Sequence, residues 1–425
     1  MQKIFDLIEK EKLRQKEGLE LIPSENYVSK DVLKALGSIL TDKYSEGYPG
    51  RRYYGGNEFI DEVEREAQRL ANQIFGTVHA NVQPYSGSPA NLAVDLALAE
   101  PGDVIMGMSL SAGGHLTHGA SVSFTGKLFK SVQYGVGSDG RIDFEEVKKL
   151  ALEHKPKIIW VGLTAYPYKL DWLKFREIAD EVGCYLAADI SHIAGLIAAD
   201  VHEGPTLYVD VITTTTHKTL RGPRGAMILV TQKGLDKDPE LAEKIDKAVF
   251  PGLQGGPHEN TIAAIAVALS EVLQPGFKTY AEQVVKNAKV LAKELGIETE
   301  NHLMLLPVGD GMGYQAQIVL ELAGITVNKN AIPGEPASPF YPSGIRLGTP
   351  ALTSRGMKES DMKKVAEWIK RALEAIKGFD LPAEQSERAP FIKEFKQKIK
   401  GSQNLKKIRE EVKEFTKDFP VPGVD

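Results

Sequence analysis

Five short strand candidates, at residues 104–108, 158–163, 185–189, 211–215 and 226–230, alternate with stretches of helical periodicity. Strands and helices alternating in this way constrain the chain to a mostly parallel sheet with helices on both faces. The helices carry their own marks. Phe59, Val63, Ala67, Leu70 and Ile74 recur on one face of a helix over 58–75, and Gly76 follows as its stop. Asp171 caps a segment that ends before Gly183. At the N-terminus, Ile4, Leu7 and Ile8 line one face of a helix over 2–18.

The pattern changes after residue 273. Gln274-Pro275-Gly276 breaks the chain, and a helix follows from about 278 to 295. Short strands near Met304 and Ile325, a turn-rich stretch over 328–344 and a helix over 360–376 make a smaller α+β unit. Residues 386–417 form a charged helical tail. The expected organisation is an N-terminal helix or arm (1–28), a large α/β domain (29–273) and a small C-terminal α+β domain with the tail (274–425). A chain of 425 residues can bury cores for all of these. Its net charge of −5 argues against bulk binding to nucleic acid or an anionic membrane. No apolar run is long enough to span a bilayer, and residues 1–16 lack a signal-peptide core. The one cysteine, Cys184, excludes an intrachain disulfide and fits a cytoplasmic location.

Chemistry gathers at the strand ends. The run 211–215 leads into Thr216-His217-Lys218-Thr219, just before a Gly-Pro turn, and so delivers a lysine toward the interior. The run 185–189 ends on Asp189, with His192 beyond it. An acid on one strand end and a lysine on a neighbouring one is the pairing that pyridoxal phosphate needs: the lysine forms the Schiff base, and the acid keeps the pyridine nitrogen protonated. Ser86-Gly87-Ser88-Pro89 opens a helix and suits a phosphate at its N-terminus. In Gly113-Gly114-His115, the glycines would let an imidazole lie flat against a flat cofactor. Arg346, among small residues in a turn-rich stretch, suits bidentate capture of a carboxylate. The loops 24–26 and 44–56 are dense in polar, aromatic and glycine residues, as binding loops are. Singly, each motif has a structural alternative: an ordinary N-cap, a loop or core histidine, an exposed lysine, an ion-paired arginine or an aromatic packing loop. Together the motifs point to one cofactor site.

These stretches, with Leu21–Asn26, Asn81-Val82-Gln83-Pro84, Val249–Pro257, Val327–Asn330 and Ser338–Pro350, resemble the serine hydroxymethyltransferase family over about residues 5–376, with a family-like ending near 409–420. The resemblance implies the aspartate-aminotransferase-like (fold type I) architecture, with a mostly parallel seven-stranded sheet in the large domain. It implies reversible interconversion of L-serine and glycine, with a one-carbon unit passed to tetrahydrofolate or a modified tetrahydropterin. By the same resemblance Lys218 is the Schiff-base lysine, and His217 tunes reaction specificity. Asp189 pairs with the pyridinium, His115 stacks on the ring, and Thr164 and His192 reach the ring hydroxyl. Ser86, Gly87 and Ser88 hold the phosphate, helped by Tyr44 and Gly256 of a second subunit. Ser24, Tyr54, His192 and Arg346 bind the amino acid, while Glu46 of the second subunit handles protons at the serine hydroxyl. Tyr53, Leu110, Gly114, Leu116, Phe250, Asn330, Ser338, Pro339 and Phe340 face the pterin. A homodimer with shared sites, no metal, no nucleic acid and no membrane complete the expectation. The sequence departs from the family pattern at Pro23, Ser191 and Ala226, none of which removes a functional atom, and in a short 296–300 segment that bears on the small-domain strands. A threonine-aldolase-like lyase on the same fold is the alternative. The carrier-facing Tyr53 and Asn330 argue against it.

Overall fold

The computed structural model describes residues 1–335 and 340–424. Two compact units result: Val28–Ala281, and Met1–Tyr27 together with Glu282–Asp425.

The first unit is built on seven strands: β1 (His79–Asn81), β2 (Val104–Met108), β3 (Lys130–Tyr134), β4 (Ile158–Gly162), β5 (Tyr185–Asp189), β6 (Val211–Thr215) and β7 (Ala226–Val230). They pair in the order β1-β7-β6-β5-β4-β2-β3. β7 alone runs opposite to the other six strands. β4, β6 and β7 are buried at all five positions, because helices cover both faces. The two strands that the apolar pattern does not reveal, β1 and β3, are the edges of the sheet. Edge strands meet solvent on one side and carry more polar residues. In register, Gly162 lies beside Asp189 and Asp189 beside Thr213. The carboxyl ends of β4, β5 and β6 therefore finish together, where ligands bind in open α/β sheets. The helix Gly87–Leu98 crosses this sheet, and Ala90, Ala93 and Val94 pack with Trp160, Ala187, Val211 and Ile228 in one core.

In the second unit three antiparallel strands, β8 (Leu303–Pro307), β9 (Asn328–Asn330) and β10 (Gly344–Gly348), lie in the order β8-β10-β9. The N-terminal segment joins this unit: Leu19–Glu20 pairs in parallel with Ile325–Thr326, and Gly348 N donates to Leu21 O at 2.8 Å. The tail packs there as two helices, Gln385–Ile399 and Gln403–Thr416, through Phe395, Leu405, Ile408 and Val412.

Two local expectations are corrected. The helix expected from about 278 starts at Pro275. Proline is tolerated in a first helical turn, and Phe277 N already bonds Gln274 O at 3.0 Å. The stretch around Arg346 is a fully buried central strand rather than a turn. Its flanking glycines permit close approach: a Cβ on Gly348 would lie 2.5 Å from Pro23 Cβ, and one on Gly344 2.2 Å from Ile332 Cδ1. Among the described residues, no helix is long and apolar enough to cross a membrane.

Candidate active site

Asp189 closes β5 and is buried. Its Oδ1 accepts Ser191 N at 3.0 Å. Its Oδ2 accepts Asn91 Nδ2 at 2.9 Å and faces His118 Nε2 at 3.4 Å. Burial alone would raise the Asp189 pKa. The hydrogen bond to His118 and the electrostatic pull of His118, then of His115 and Lys218, overcome it and hold the carboxyl well below the usual carboxylate range. A permanent anion therefore sits at the end of a dry strand.

The supports of Asp189 are themselves fixed. Thr213 Oγ1 donates to Asn91 Oδ1 at 2.6 Å. The His118 ring stacks on Trp160, with centroids 5.6 Å apart and planes within 9°, and Trp160 Nε1 donates to Asp95 Oδ1 at 2.7 Å. Gly107 and Gly162 leave room for His118: a Cβ on either would come within 3.0 Å of it. A ring nitrogen of His115, one of His118 and a carboxylate oxygen of Asp189 lie within 4.8 Å of one another. His115 Nδ1 sits 2.7 Å from Thr117 Oγ1. Burial depresses its pKa to about 4, so the imidazole is neutral at physiological pH. Gly113 and Gly114 serve backbone packing rather than ring clearance. Gly113 has φ +102°, and a Cβ on Gly114 would lie 2.0 Å from Met108 O.

Lys218 follows β6 and is buried. The adjacent His217 has its pKa lowered to about 3, by burial first and then by Lys218 and Arg224. Its Nδ1 is buried without a hydrogen-bond partner. Ser86 occupies the N-cap of Gly87–Leu98, and its side chain does not cap the helix. Gly87 lies so close to β6 that a Cβ would stand 2.8 Å from Thr215 Cγ2. Ser88 is exposed in the same first turn. Thr164 N bonds Gly113 O at 2.7 Å, which ties the loop after β4 to the His115 loop. The buried His192 carbonyl accepts Thr219 Oγ1 at 3.0 Å. One end of the sheet thus brings together Asp189, Lys218, His217, His115, His192 and the Ser86-Gly87-Ser88 turn.

Tyr44, Glu46, Tyr54 and Gly256 form a second cluster in the same unit. Tyr44 and Tyr54 meet edge to face at 4.9 Å, and Tyr44 OH donates to Glu46 Oε1 at 3.2 Å. A Cβ on Gly256 would lie 3.1 Å from Tyr44 Cζ. Beside it Tyr53 and Phe250 meet at 5.7 Å and help line a cavity of about 530 Å³ with Tyr48, His79 and Asp246. Tyr53, Leu110 and Leu116 are largely exposed.

In the other unit Arg346 sits mid-strand on β10, 7 % exposed, and its Nε donates to Asn328 Oδ1 at 3.1 Å. Burial lowers its pKa to about 10, which leaves it charged at neutral pH. Ser24 follows Pro23, which packs against β10. Asn330 Nδ2 bonds Ala331 O at 2.8 Å, and Phe340 is exposed. Ser338 and Pro339 lie outside the described residues.

Sequence reasoning missed Asn91, Thr117 and His118 as supports of Asp189. His118 was visible in the run His115-Leu116-Thr117-His118. Asn91 carries no signal, since its partner lies 98 positions away.

The chain matches the serine hydroxymethyltransferase family over residues 1–369. It is 53% identical, over 433 aligned positions, to a protein of Acidothermus cellulolyticus named serine hydroxymethyltransferase, covering 99% of this chain and 96% of that one. A serine hydroxymethyltransferase of Sorangium cellulosum is 51% identical over 99% of this chain and 95% of its own. Serine hydroxymethyltransferase 1 of Pseudomonas savastanoi is 55% identical over 86% of this chain and 89% of its own.

Proposed function

The chain belongs to the serine hydroxymethyltransferase family, and on that premise we propose how its own residues carry the reaction. It is a pyridoxal-phosphate-dependent enzyme that interconverts L-serine and glycine and transfers the one-carbon unit to a tetrahydrofolate-type carrier. The observation that carries the assignment of residues is the register of β5 with β6. It sets a buried, permanently ionised Asp189 beside the strand that delivers the buried Lys218.

The residues fit the cofactor. A buried anion suits a protonated pyridine nitrogen, and a buried amine suits an aldehyde. The missing Cβ of Gly87 leaves the first turn of Gly87–Leu98 pressed on β6, with backbone N–H groups free for a phosphate. The unpartnered His217 Nδ1 is a polar atom awaiting a ligand or water. Bound there, pyridoxal phosphate supplies the electron sink that takes up the pair from the broken Cα–Cβ bond.

Every other task falls to the chain. Lys218 would hold the cofactor through its Nζ. Asp189 keeps a proton on the ring nitrogen, and Asn91, Ser191 and His118 keep Asp189 in place. His115 presents a neutral flat ring, which avoids a positive charge beside a protonated pyridine. Thr164 and His192 serve the ring hydroxyl. Arg346, with Ser24, would bind and orient the carboxylate of serine. Glu46 moves a proton at the serine hydroxyl, with Tyr54 beside it. Tyr53, Phe250, Leu110, Gly114, Leu116, Asn330 and Phe340 face the carrier.

The Tyr44–Glu46–Gly256 group packs beside Tyr85, whose hydroxyl donates to Gly256 O at 2.8 Å. We assign a homodimer in which Glu46 and Tyr44 complete the partner subunit's site, as the family resemblance implies. The single cysteine, buried and unpaired, supports a cytoplasmic enzyme. Visible absorption of the holoenzyme tests the assignment. Glycine and a reduced pterin together should produce a long-wavelength band that neither produces alone at comparable strength. A spectrum indifferent to the pterin would refute it.

A further inference from the structure

The turn that carries Glu46 rests on a buried charge cluster that the reaction above does not use. Arg52 Nη1 donates to Ser45 O at 2.8 Å and to Gly47 O at 2.9 Å, the carbonyls on either side of Glu46. The Glu46 carbonyl accepts Tyr53 N at 2.9 Å. Carboxylates grip the guanidinium in turn: Nη2 donates to Glu64 Oε2 at 2.5 Å and Nε to Asp61 Oδ1 at 2.8 Å. Gln83 Nε2 closes the ring, donating to Gly47 O at 3.0 Å and to Glu64 Oε1 at 2.8 Å. Ser45 Oγ donates to Glu259 Oε1. Glu64, Gln83, Ser45 and Glu259 are all buried. Taking one cation and several acids out of water is costly, and apolar side chains would hold the same elements at less expense. What apolar side chains cannot do is fix the peptide groups that flank one particular residue.

We propose that Glu64 is a positioning residue: through Arg52 and Gln83 its carboxylate locks the backbone on both sides of Glu46 and so sets where the Glu46 carboxylate meets the substrate. The proposal rests on the reading of Glu46 as the proton carrier. Its chemistry predicts a pH dependence. Each Glu64 oxygen accepts from a different donor, Gln83 on one side and Arg52 on the other. A proton on Glu64 would set an O–H against one of those donors and open one arm of the clamp. The groups facing Glu64 are Arg52, Glu259 and Tyr48, with Asp61 beyond Arg52. Burial pushes the Glu64 pKa up to about 7, reinforced by Glu259 and opposed by Arg52 and Gln83. The clamp therefore loosens as pH falls through neutrality.

The test uses the holoenzyme with Glu64→Gln, Glu46→Gln and the double variant. Glu64→Gln should lower kcat for carrier-dependent serine turnover about 10- to 100-fold, since small misplacements of a reacting group cost this much. The KM for serine and the visible spectrum of the bound cofactor should stay near wild type. The acid limb near pH 7 should vanish from the kcat profile. The double variant should be no slower than Glu46→Gln, because Glu64 acts through Glu46. Wild-type kcat with an unchanged acid limb, or losses that multiply in the double variant, would overturn the proposal. Normal turnover by Glu46→Gln would instead remove the reading of Glu46 and the proposal with it. If Glu64→Gln does not fold, Gln83→Met carries the test: a lower kcat at unchanged KM supports the clamp, and unchanged kcat refutes it.

Discussion

Arg346→Met should make the enzyme worse and its fold better. The guanidinium lies mid-strand on β10 and is 7 % exposed. Burial lowers its pKa to about 10, so the folded state disfavours the charged form. That displacement corresponds to roughly 3 kcal/mol of unfavourable burial. A group whose folded pKa lies below its unfolded value carries the penalty in full at every pH below the folded value. The penalty shrinks only as pH rises above about 10. Methionine fills most of the volume without charge. It also abandons the guanidinium's hydrogen bonds, the one to Asn328 Oδ1 among them, at about 1 kcal/mol each. The net gain for the substrate-free enzyme is about 1–2 kcal/mol, a rise of a few degrees in thermal midpoint that is constant between pH 6 and 9. Catalysis moves the other way. Two charge-assisted hydrogen bonds to the serine carboxylate, at about 1.5–3 kcal/mol each, are lost, which lowers kcat/KM for serine about 10²- to 10⁴-fold. Adding serine should raise the thermal midpoint of the wild type and leave the variant unmoved. Near-normal kcat/KM, or a variant that is less stable and still stabilised by serine, would show that Arg346 is a structural residue.

Three further outcomes follow from the site. Asp189→Asn puts an amide against partners that all donate, and should weaken pyridoxal phosphate binding at least about 30-fold, read by titrating the cofactor-free enzyme; unchanged affinity would remove Asp189 from the ring nitrogen. His115 has a folded pKa of about 4 against an ordinary value of 6.5, so the unfolded chain binds the extra proton and stability should fall as pH drops through that window; His115→Asn should flatten this part of the stability profile, and an unchanged slope would refute the buried neutral imidazole. Lys218→Ala and Glu46→Gln homodimers should both be nearly inactive, while a tagged heterodimer of the two has one intact site and recovers serine turnover; activity no higher than either parent would place Glu46 and Lys218 in the same subunit's site.

What the sequence makes legible depends on where a residue's partners lie. The inner strands 104–108, 158–162, 185–189 and 226–230 stand out because burial on both faces favours largely apolar runs, and 211–215 because it follows the mostly apolar stretch 208–212. The edges leave no such trace: His79–Asn81 is only three residues long, and Lys130–Tyr134 is partly exposed. Asp189 and Lys218 can be read from their strand ends, but Asn91 and Trp160, which hold the site in shape, reach it from remote segments that only the fold brings near. Arg346 is legible as a carboxylate clamp yet not as a strand residue. Gly344 and Gly348 mimic turn signals, although they are glycines because Ile332 and Pro23 press on them. Arg52 reads as one more polar residue in a loop, since the acids that grip it come from helices at 58–75 and 259–272.

The central claim is that Lys218 holds the cofactor at the end of β6, opposite Asp189. Borohydride reduction of the holoenzyme, followed by digestion and peptide mass spectrometry, tests it most directly. The account predicts the reduced pyridoxyl-phosphate mass on the peptide containing Thr216-His217-Lys218, at Lys218 and at no other lysine, and no fixed cofactor in Lys218→Ala. A label on any other lysine, or fixation that survives in Lys218→Ala, would contradict it.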